Sequence, residues 1–401
     1  MVLSFYIYCK KYCPRRVLAA SRNYTYFVKN GLIPVDNLKK ADLIVIHSCG
    51  GFNLDEEFSL LTLENALKKK STSSKVIMTG CLPKINKGAL SQFEEALIIP
   101  TEELSILDSI IDAKIPYNSI PESSIIRDVN DLYHGTPIKR IRRKLGFNRY
   151  FLTILSYLRK KLDFKTRNSY FDEGTYKIVI SDGCVGNCTY CAIKFAMPKY
   201  TSIPEKQIVE KFRTGLQHNF KSFALTGADI GSYGIDINTN LPNLLDRLFA
   251  VEGDYKIILI DLNVRWLIKE YKSLFSVLKK NEEKLHTIII PIQSGSDKIL
   301  RLMQRHYKIG EVKKCLSDFQ ENIPNINIAT HIMVGFPGET ESDFQMSLDL
   351  LKNLNFSHIQ IYKYEDRPGT AASKLPDKLP PKIIDKRAKM LSKMKNATIC
   401  N

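Results

Sequence analysis

Apolar positions in the first 115 residues cluster into three short runs, LSFYIY, ADLIVIHS and SKVIMTG. Each holds at least three consecutive apolar residues and is of strand length, the pattern of a strand covered on both faces. Between them, residues 14–30 and 54–70 repeat apolar positions at helical spacing. This alternation predicts a small doubly wound α/β domain over 1–115, with its functional loops at the carboxyl ends of the strands. Cys9, Cys49 and Cys81 each directly follow one of the runs, and Cys13 lies four residues beyond Cys9. Although far apart in sequence, these cysteines can converge at one edge of the sheet.

The strand rhythm stops over 116–170, which contains Pro121 and Pro137 and reads as a connector. From Tyr176 it resumes in six β-rich runs: YKIVIS, KSFALTG, YKIILIDL, HTIIIPI, INIATHIMV and SHIQIYKY. Their starts are about 30 to 45 residues apart, the spacing of successive βα units in a parallel sheet. Six units predict a partial (β/α)6 barrel over 171–375, three quarters of a full barrel, with its site at the strands' carboxyl ends. Residues 376–401 read as a basic helical tail.

Composition adds two constraints. The chain has 59 Lys and Arg against 42 Asp and Glu, a net charge of +17. Eleven basic residues and one acidic residue between Lys139 and Arg167 concentrate +10 of it in 29 residues. Phe147, Tyr150, Phe151 and Tyr157 are interleaved with those cations, so the run suits RNA binding; it also suits a solvated or lipid-facing helix. No run is long enough to span a bilayer, and residues 2–8 lack the flanks of a secretory leader, so the expected location is the cytoplasm. Nine unevenly spaced cysteines in a reducing compartment point to metal binding or chemistry rather than to a disulfide scaffold.

The first barrel run leads directly into Cys184-Val-Gly-Asn-Cys188-Thr-Tyr-Cys191. Three thiolates in eight residues can hold three irons of a cubane and leave the fourth open to a small molecule; reactive or zinc-binding thiols are the alternative. Cys315, within a helical pattern, and Cys400, near the carboxyl end, read as ordinary thiols. The seven histidines are scattered and receive no role; His47 beside Cys49 reads as a satisfied strand-end histidine. Asp261 and Arg265 follow the third barrel strand and either meet a ligand or pair with each other.

On this C-x3-C-x2-C triplet the chain resembles the radical S-adenosylmethionine (SAM) enzymes, and more narrowly the methylthiotransferase family. LTGADIGSYG (225–234) is similar to that family's region after the second strand, with Ala228 in place of its usual Gln. IPIQSGSDKILRLMQRHY (290–307), IMVGFPGETESDF (332–344) and YEDRPGTAA (364–372) resemble three further family segments. HSCG (47–50) and TGC (79–81) stand where the family has N-T-C and T-G-C. The resemblance implies a [4Fe-4S] cluster on Cys184, Cys188 and Cys191 that cleaves SAM. It also implies a second [4Fe-4S] cluster on Cys49, Cys81 and Cys13, with Cys9 as the reserve ligand. Pro14-Arg15-Arg16 departs from the family's Gln-x-Asn after the first cysteine. SAM contacts are implied at Tyr190, at Gly227, Ala228 and Asp229, at Gln293 and Ser294, and at Gly335 and Gly338. The implied activity is insertion of sulfur into a substrate C–H bond followed by its methylation, on a tRNA nucleoside or a protein or peptide. A reducing partner such as flavodoxin or ferredoxin is implied as well; the sulfur donor is not readable.

Family members that modify tRNA or ribosomal protein usually carry a carboxyl-terminal TRAM domain, for which this sequence has no room. That keeps two alternatives open: a radical SAM sulfur-inserting or peptide-modifying enzyme that does not act on tRNA, and an RNA-binding or scaffold protein with structural clusters.

Overall fold

The computed structural model describes residues 3–9, 13–125 and 174–400. The basic run predicted between Lys139 and Arg167 lies outside them. Two compact units are distinguished: residues up to 125 with Ala192–Ala196, and Gly174–Cys191 with Met197 onward.

The first unit is built on a parallel sheet of β1 (Ser4–Cys9), β2 (Ile33–Pro34), β3 (Leu43–Ser48), β4 (Lys75–Gly80) and β5 (Ala96–Ile98), in the order β2-β1-β3-β4-β5. Alternation sends Phe5, Ile7, Val45 and Ile77 to one face, where Val17, Ala20 and Phe27 of helix Pro14–Lys29 cover them. Tyr6, Tyr8, Ile44, Ile46 and Met78 pack on the other face with Leu63 and Ala66 of helix Asn53–Lys69. Both faces are therefore buried, which explains the uninterrupted apolar runs. In this strand order the connections reverse between β1 and β3, and ligands of doubly wound sheets bind outside the carboxyl ends at such a point. Cys9 ends β1 and Cys49 follows β3. Ala192 and Ala196 also belong to this unit, packed with Ile85 and partly buried Cys81.

The second unit carries β6 (Thr175–Val179), β9 (Ser222–Thr226), β10 (Lys256–Leu259), β11 (Leu285–Gln293), β12 (Asn327–Val334) and β13 (His358–Lys363), which are the six expected βα strands. All pair in parallel with their sequence neighbours in the series. Beside them stand a small antiparallel pair, β7 (Ser181–Asp182) with β8 (Thr201–Ser202), and a seventh parallel strand, β14 (Ala397–Ile399). The tail is thus a helix, Pro381–Leu391, followed by a strand that extends the sheet. Ile178, Phe223, Leu225, Ile257, Ile290, Ile332 and Ile361 face the helices and form the main core. The opposite face of the same strands carries Lys177, Thr226, Thr287, His331 and Gln360 by alternation. The barrel therefore has an apolar outer layer and a lumen of mixed character, in which these polar side chains stand beside Ala224, Ile258, Ile289 and Ala329. Among the described residues no helix is long and apolar enough to cross a membrane.

Candidate metal and cofactor sites

In the first unit, Cys81 is placed by the glycine before it. Gly80 has φ +102°, and a Cβ there would lie 2.4 Å from the Ser48 carbonyl oxygen, so only glycine fits. The close approach lets the Cys81 backbone N–H donate to Ser48 O at 3.3 Å, tying the end of β4 to the residue before Cys49. Cys49 is held by Ser59, whose Oγ accepts from its backbone N–H at 2.9 Å. Cys13 immediately precedes helix Pro14–Lys29. Cys9 is buried at the end of β1.

Burial pushes the thiols of Cys49, Cys81 and Cys9 up to about 11, 12 and 12, while the buried Arg16 guanidinium opposes the shift at each. The Cys49 thiol donates to Asp55 Oδ2 at 3.7 Å. Without a metal such thiols stay protonated; a bound metal would stabilise them as thiolates and release protons on binding. His47, in register with Cys9 and Thr79, is buried with Nε2 3.2 Å from Asn23 Nδ2; Tyr117 fixes that amide by donating to its Oδ1 at 2.8 Å. Burial pulls His47 down to about 3, so the ring is neutral.

In the second unit, Cys184, Cys188 and Cys191 lie on the loop after β7, all partly exposed. The backbone N–H of Gly186 donates to Cys184 Sγ at 3.2 Å. A Cβ on Gly186 would stand 3.3 Å from Cys184 Sγ and 3.9 Å from Cys188 Sγ, so the missing side chain leaves a hollow between two sulfurs. Thr189 anchors the loop, its N–H donating to Met303 O at 3.1 Å and its Oγ1 to Leu302 O at 2.8 Å. Tyr190 packs half-buried with Met333, Phe336 and Tyr364. Among the described residues no three His, Cys, Asp or Glu side chains are gathered tightly enough for a single metal ion. A cubane asks for something different, because each thiolate caps a separate iron.

The expected SAM contacts differ in what remains free. Asp229 is committed: its carboxylate accepts from Trp266 Nε1 at 2.9 Å and from the backbone N–H groups of Gly231 and Asn263 at 3.1 and 3.4 Å. Ala228, beside it, is half-buried, and Gly227 packs against Ser181. Ser294 Oγ accepts from Ser296 N–H at 3.2 Å. Gly335 donates to Glu339 Oε2 at 2.9 Å and Gly338 to Asp377 O at 3.0 Å. Gln293 is different: its backbone sits at φ +76°, and its buried Oε1 has no hydrogen-bond partner. Asp261 and Arg265 do not pair. Arg265 lies over the Trp266 ring at 4.4 Å, whereas Asp261 Oδ1 is 3.9 Å from His331 Nδ1.

Two arrangements carried no role in the sequence. Arg305 reaches Cys188, and Glu339 makes a buried ion pair with Arg387 at 2.5 Å. Arg305 stood in a quoted segment, so the signal was present without a reason to assign it.

The Radical SAM superfamily profile matches residues 178–351. Over 90% of its length the chain is 30% identical to a probable threonylcarbamoyladenosine tRNA methylthiotransferase of Pyrococcus horikoshii, covering 76% of that protein. A counterpart of the same description in Methanocaldococcus jannaschii is 31% identical over 92% of the chain and 77% of its own length. The chain belongs to the radical SAM methylthiotransferase family. The fold agrees: the radical SAM methyltransferase TsrM of Kitasatospora setae superposes with a TM-score of 0.61 at 11% identity, covering 93% of this chain and 77% of that one. As a radical SAM methylthiotransferase, the chain is an enzyme, and its family implies a [4Fe-4S] cluster and SAM. Three partly exposed cysteines on one loop, two of them with sulfurs flanking Gly186, are a donor set that fits the cluster.

Proposed function

We propose that this methylthiotransferase uses two [4Fe-4S] clusters, one on Cys184, Cys188 and Cys191 and one on Cys13, Cys49 and Cys81, to thiomethylate an adenosine of tRNA. The reading is carried by two cysteine sets, each at strand carboxyl ends of its own α/β unit. The tRNA substrate, and a threonylcarbamoylated adenosine as first candidate, rest on the names of the relatives. When bound, the clusters and SAM supply the hydrogen-abstracting radical, the sulfur and the methyl group. The protein's part is to hold and orient. Thr189 fixes the cysteine loop, Gln293 Oε1 is an open acceptor for a donor group of SAM, and Asp229 holds the Trp266 segment in place. In the first unit, the permanent charge of Arg16 offsets part of the cost of gathering three thiolates. One electron per SAM cleaved must come from outside, from a flavodoxin- or ferredoxin-type partner, in cytoplasm.

Anaerobically reconstituted protein is expected to hold about eight irons and to release 5′-deoxyadenosine from SAM on reduction. Iron near half that value would remove the second cluster. Nucleoside mass spectrometry of tRNA from cells with and without the gene should show loss of a 2-methylthio adenosine derivative, and tRNA retention should weaken as salt rises. An unchanged nucleoside profile would exclude the tRNA substrate.

A further inference from the structure

Arg305 is buried, with only 7% of its surface exposed, and its guanidinium is clamped on three sides. Nε donates to the Tyr307 hydroxyl at 3.1 Å, Nη2 donates to the carbonyl of Pro291, and Nη1 donates to Cys188 Sγ at 3.7 Å. The Tyr307 hydroxyl in turn donates to Ile292 O at 2.7 Å. Pro291 and Ile292 form the end of β11, immediately before Gln293. The cation therefore cannot swing away without breaking bonds to a core strand. Guanidinium stays charged at any pH at which the protein is folded. Cys184, by contrast, receives a neutral backbone N–H, from Gly186.

We propose that Arg305 sets the reduction potential of the barrel cluster through its charged hydrogen bond to the Cys188 sulfur. The inference rests on the reading that Cys184, Cys188 and Cys191 hold a redox-active cluster. One-electron reduction adds a negative charge to the centre. A fixed cation on a ligand sulfur stabilises the reduced state more than the oxidised one, and in a water-poor surrounding that difference is weakly screened. Hydrogen bonds from outside the ligand set are a recognised lever on metal-site potentials. Tyr307 then acts as a positioning residue, since it touches the cation rather than the sulfur.

The test uses the full chain carrying Cys49→Ala and Cys81→Ala, so that reducible iron belongs to the barrel set, reconstituted anaerobically and titrated with electron paramagnetic resonance detection. Arg305→Gln keeps donor groups and removes the charge. It is expected to match the parent in iron content while its one-electron reduction equilibrium constant falls at least tenfold, a shift of about 59 mV to more negative potential. Arg305→Lys retains the charge and should lose less than half of that shift. A potential unchanged in Arg305→Gln would overturn the proposal, as would equal shifts in the Gln and Lys variants, which would point to packing. If Arg305→Gln takes up no iron, Tyr307→Phe decides: a smaller shift of the same sign supports the proposal and an unmoved potential overturns it. A parent protein with no reducible, SAM-responsive centre would instead overturn the cluster reading itself, and this inference with it.

Discussion

The barrel cysteines occupy eight consecutive residues, whereas the amino-terminal set draws Cys13, Cys49 and Cys81 from three separate elements. The first set is a loop property. Its geometry is held by Gly186 and by the Thr189 bonds to Leu302 and Met303. On the proposed reading the second is a sheet property, which requires β3, β4 and helix Pro14–Lys29 to be docked. They also differ in charge: a buried Arg16 serves the amino-terminal thiols, while Arg305 donates directly to Cys188. A contiguous site should fail alone, and an assembled site should fail with its domain.

Single-cysteine variants test that difference with the largest expected effects. Cys188→Ala should lose the barrel iron and lower 5′-deoxyadenosine release by roughly a hundredfold or more, about 2.7 kcal/mol in the barrel's chemistry. Cys49→Ala should keep 5′-deoxyadenosine release while losing thiomethylated product and about half the iron. If Cys49→Ala abolished SAM cleavage too, the two sites would not be separable.

Glycine substitutions sharpen the comparison. Gly80→Ala puts a Cβ against Ser48 backbone at a positive φ, so it should destabilise the first unit by about 3 kcal/mol and speed hydrogen exchange in peptides from 3–125. Gly186→Ala meets only a movable sulfur at 3.3 Å. It should change stability by less than about 1 kcal/mol and reduce barrel iron instead. Equal exchange rates in the first-unit peptides of both variants would refute the idea that the amino-terminal set depends on the sheet.

Titration separates the two regions as well. Arg16 does not change charge, but the barrel lumen holds a titrating pair, Asp261 and His331. Burial, with the Asp229 charge adding to it, raises the Asp261 carboxyl from 3.8 to about 7; Arg305 opposes it. The unfolded chain then binds fewer protons than the folded one, so this group's contribution is full below pH 3.8 and is lost as pH rises through 7. Burial, with His358 and Arg305 assisting, lowers His331 from 6.5 to about 3. Here the unfolded chain binds more protons, so stability rises with pH between 3 and 6.5. The two slopes oppose each other. Asp261→Asn should leave stability rising from pH 4.5 to 6.5, and His331→Gln should leave it falling, both read from thermal melting of the second unit. Matching slopes in the two variants would contradict the assignment.

Much of this was legible in the sequence, for physical reasons. The strands LSFYIY, LIVIHS and KVIMTG and the six barrel runs are buried on at least one whole face, so their composition is constrained along their length. β2, β5 and β14 have two or three residues each, too few for a period to show, and β14 borrows its partner from β13. The barrel triplet was readable because its chemistry is contiguous. Arg305 was not, because its contact with Cys188 spans 117 residues. The bond from Trp266 Nε1 to the Asp229 carboxylate, 37 residues apart, was equally invisible in the sequence.

The smallest predicted effect concerns two neighbours at the barrel mouth. Gln293 and Ser294 follow each other in sequence and both are buried, yet Ser294 Oγ is used by Ser296 N–H while Gln293 Oε1 has no partner. A buried acceptor without a donor is unfavourable in the free protein, and a ligand that donates to it relieves the cost on binding. Gln293→Ala should therefore raise the Kd for SAM about two- to tenfold, equivalent to about 0.5–1.5 kcal/mol for one hydrogen bond, with little loss of Tm. Ser294→Ala should do the reverse, lowering Tm because Ser296 N–H loses its acceptor while leaving the Kd within about twofold. Calorimetric titration of SAM into the two variants reads both quantities against the same parent. If Ser294→Ala weakened SAM binding more than Gln293→Ala did, the open acceptor at Gln293 would not be the group that meets the ligand.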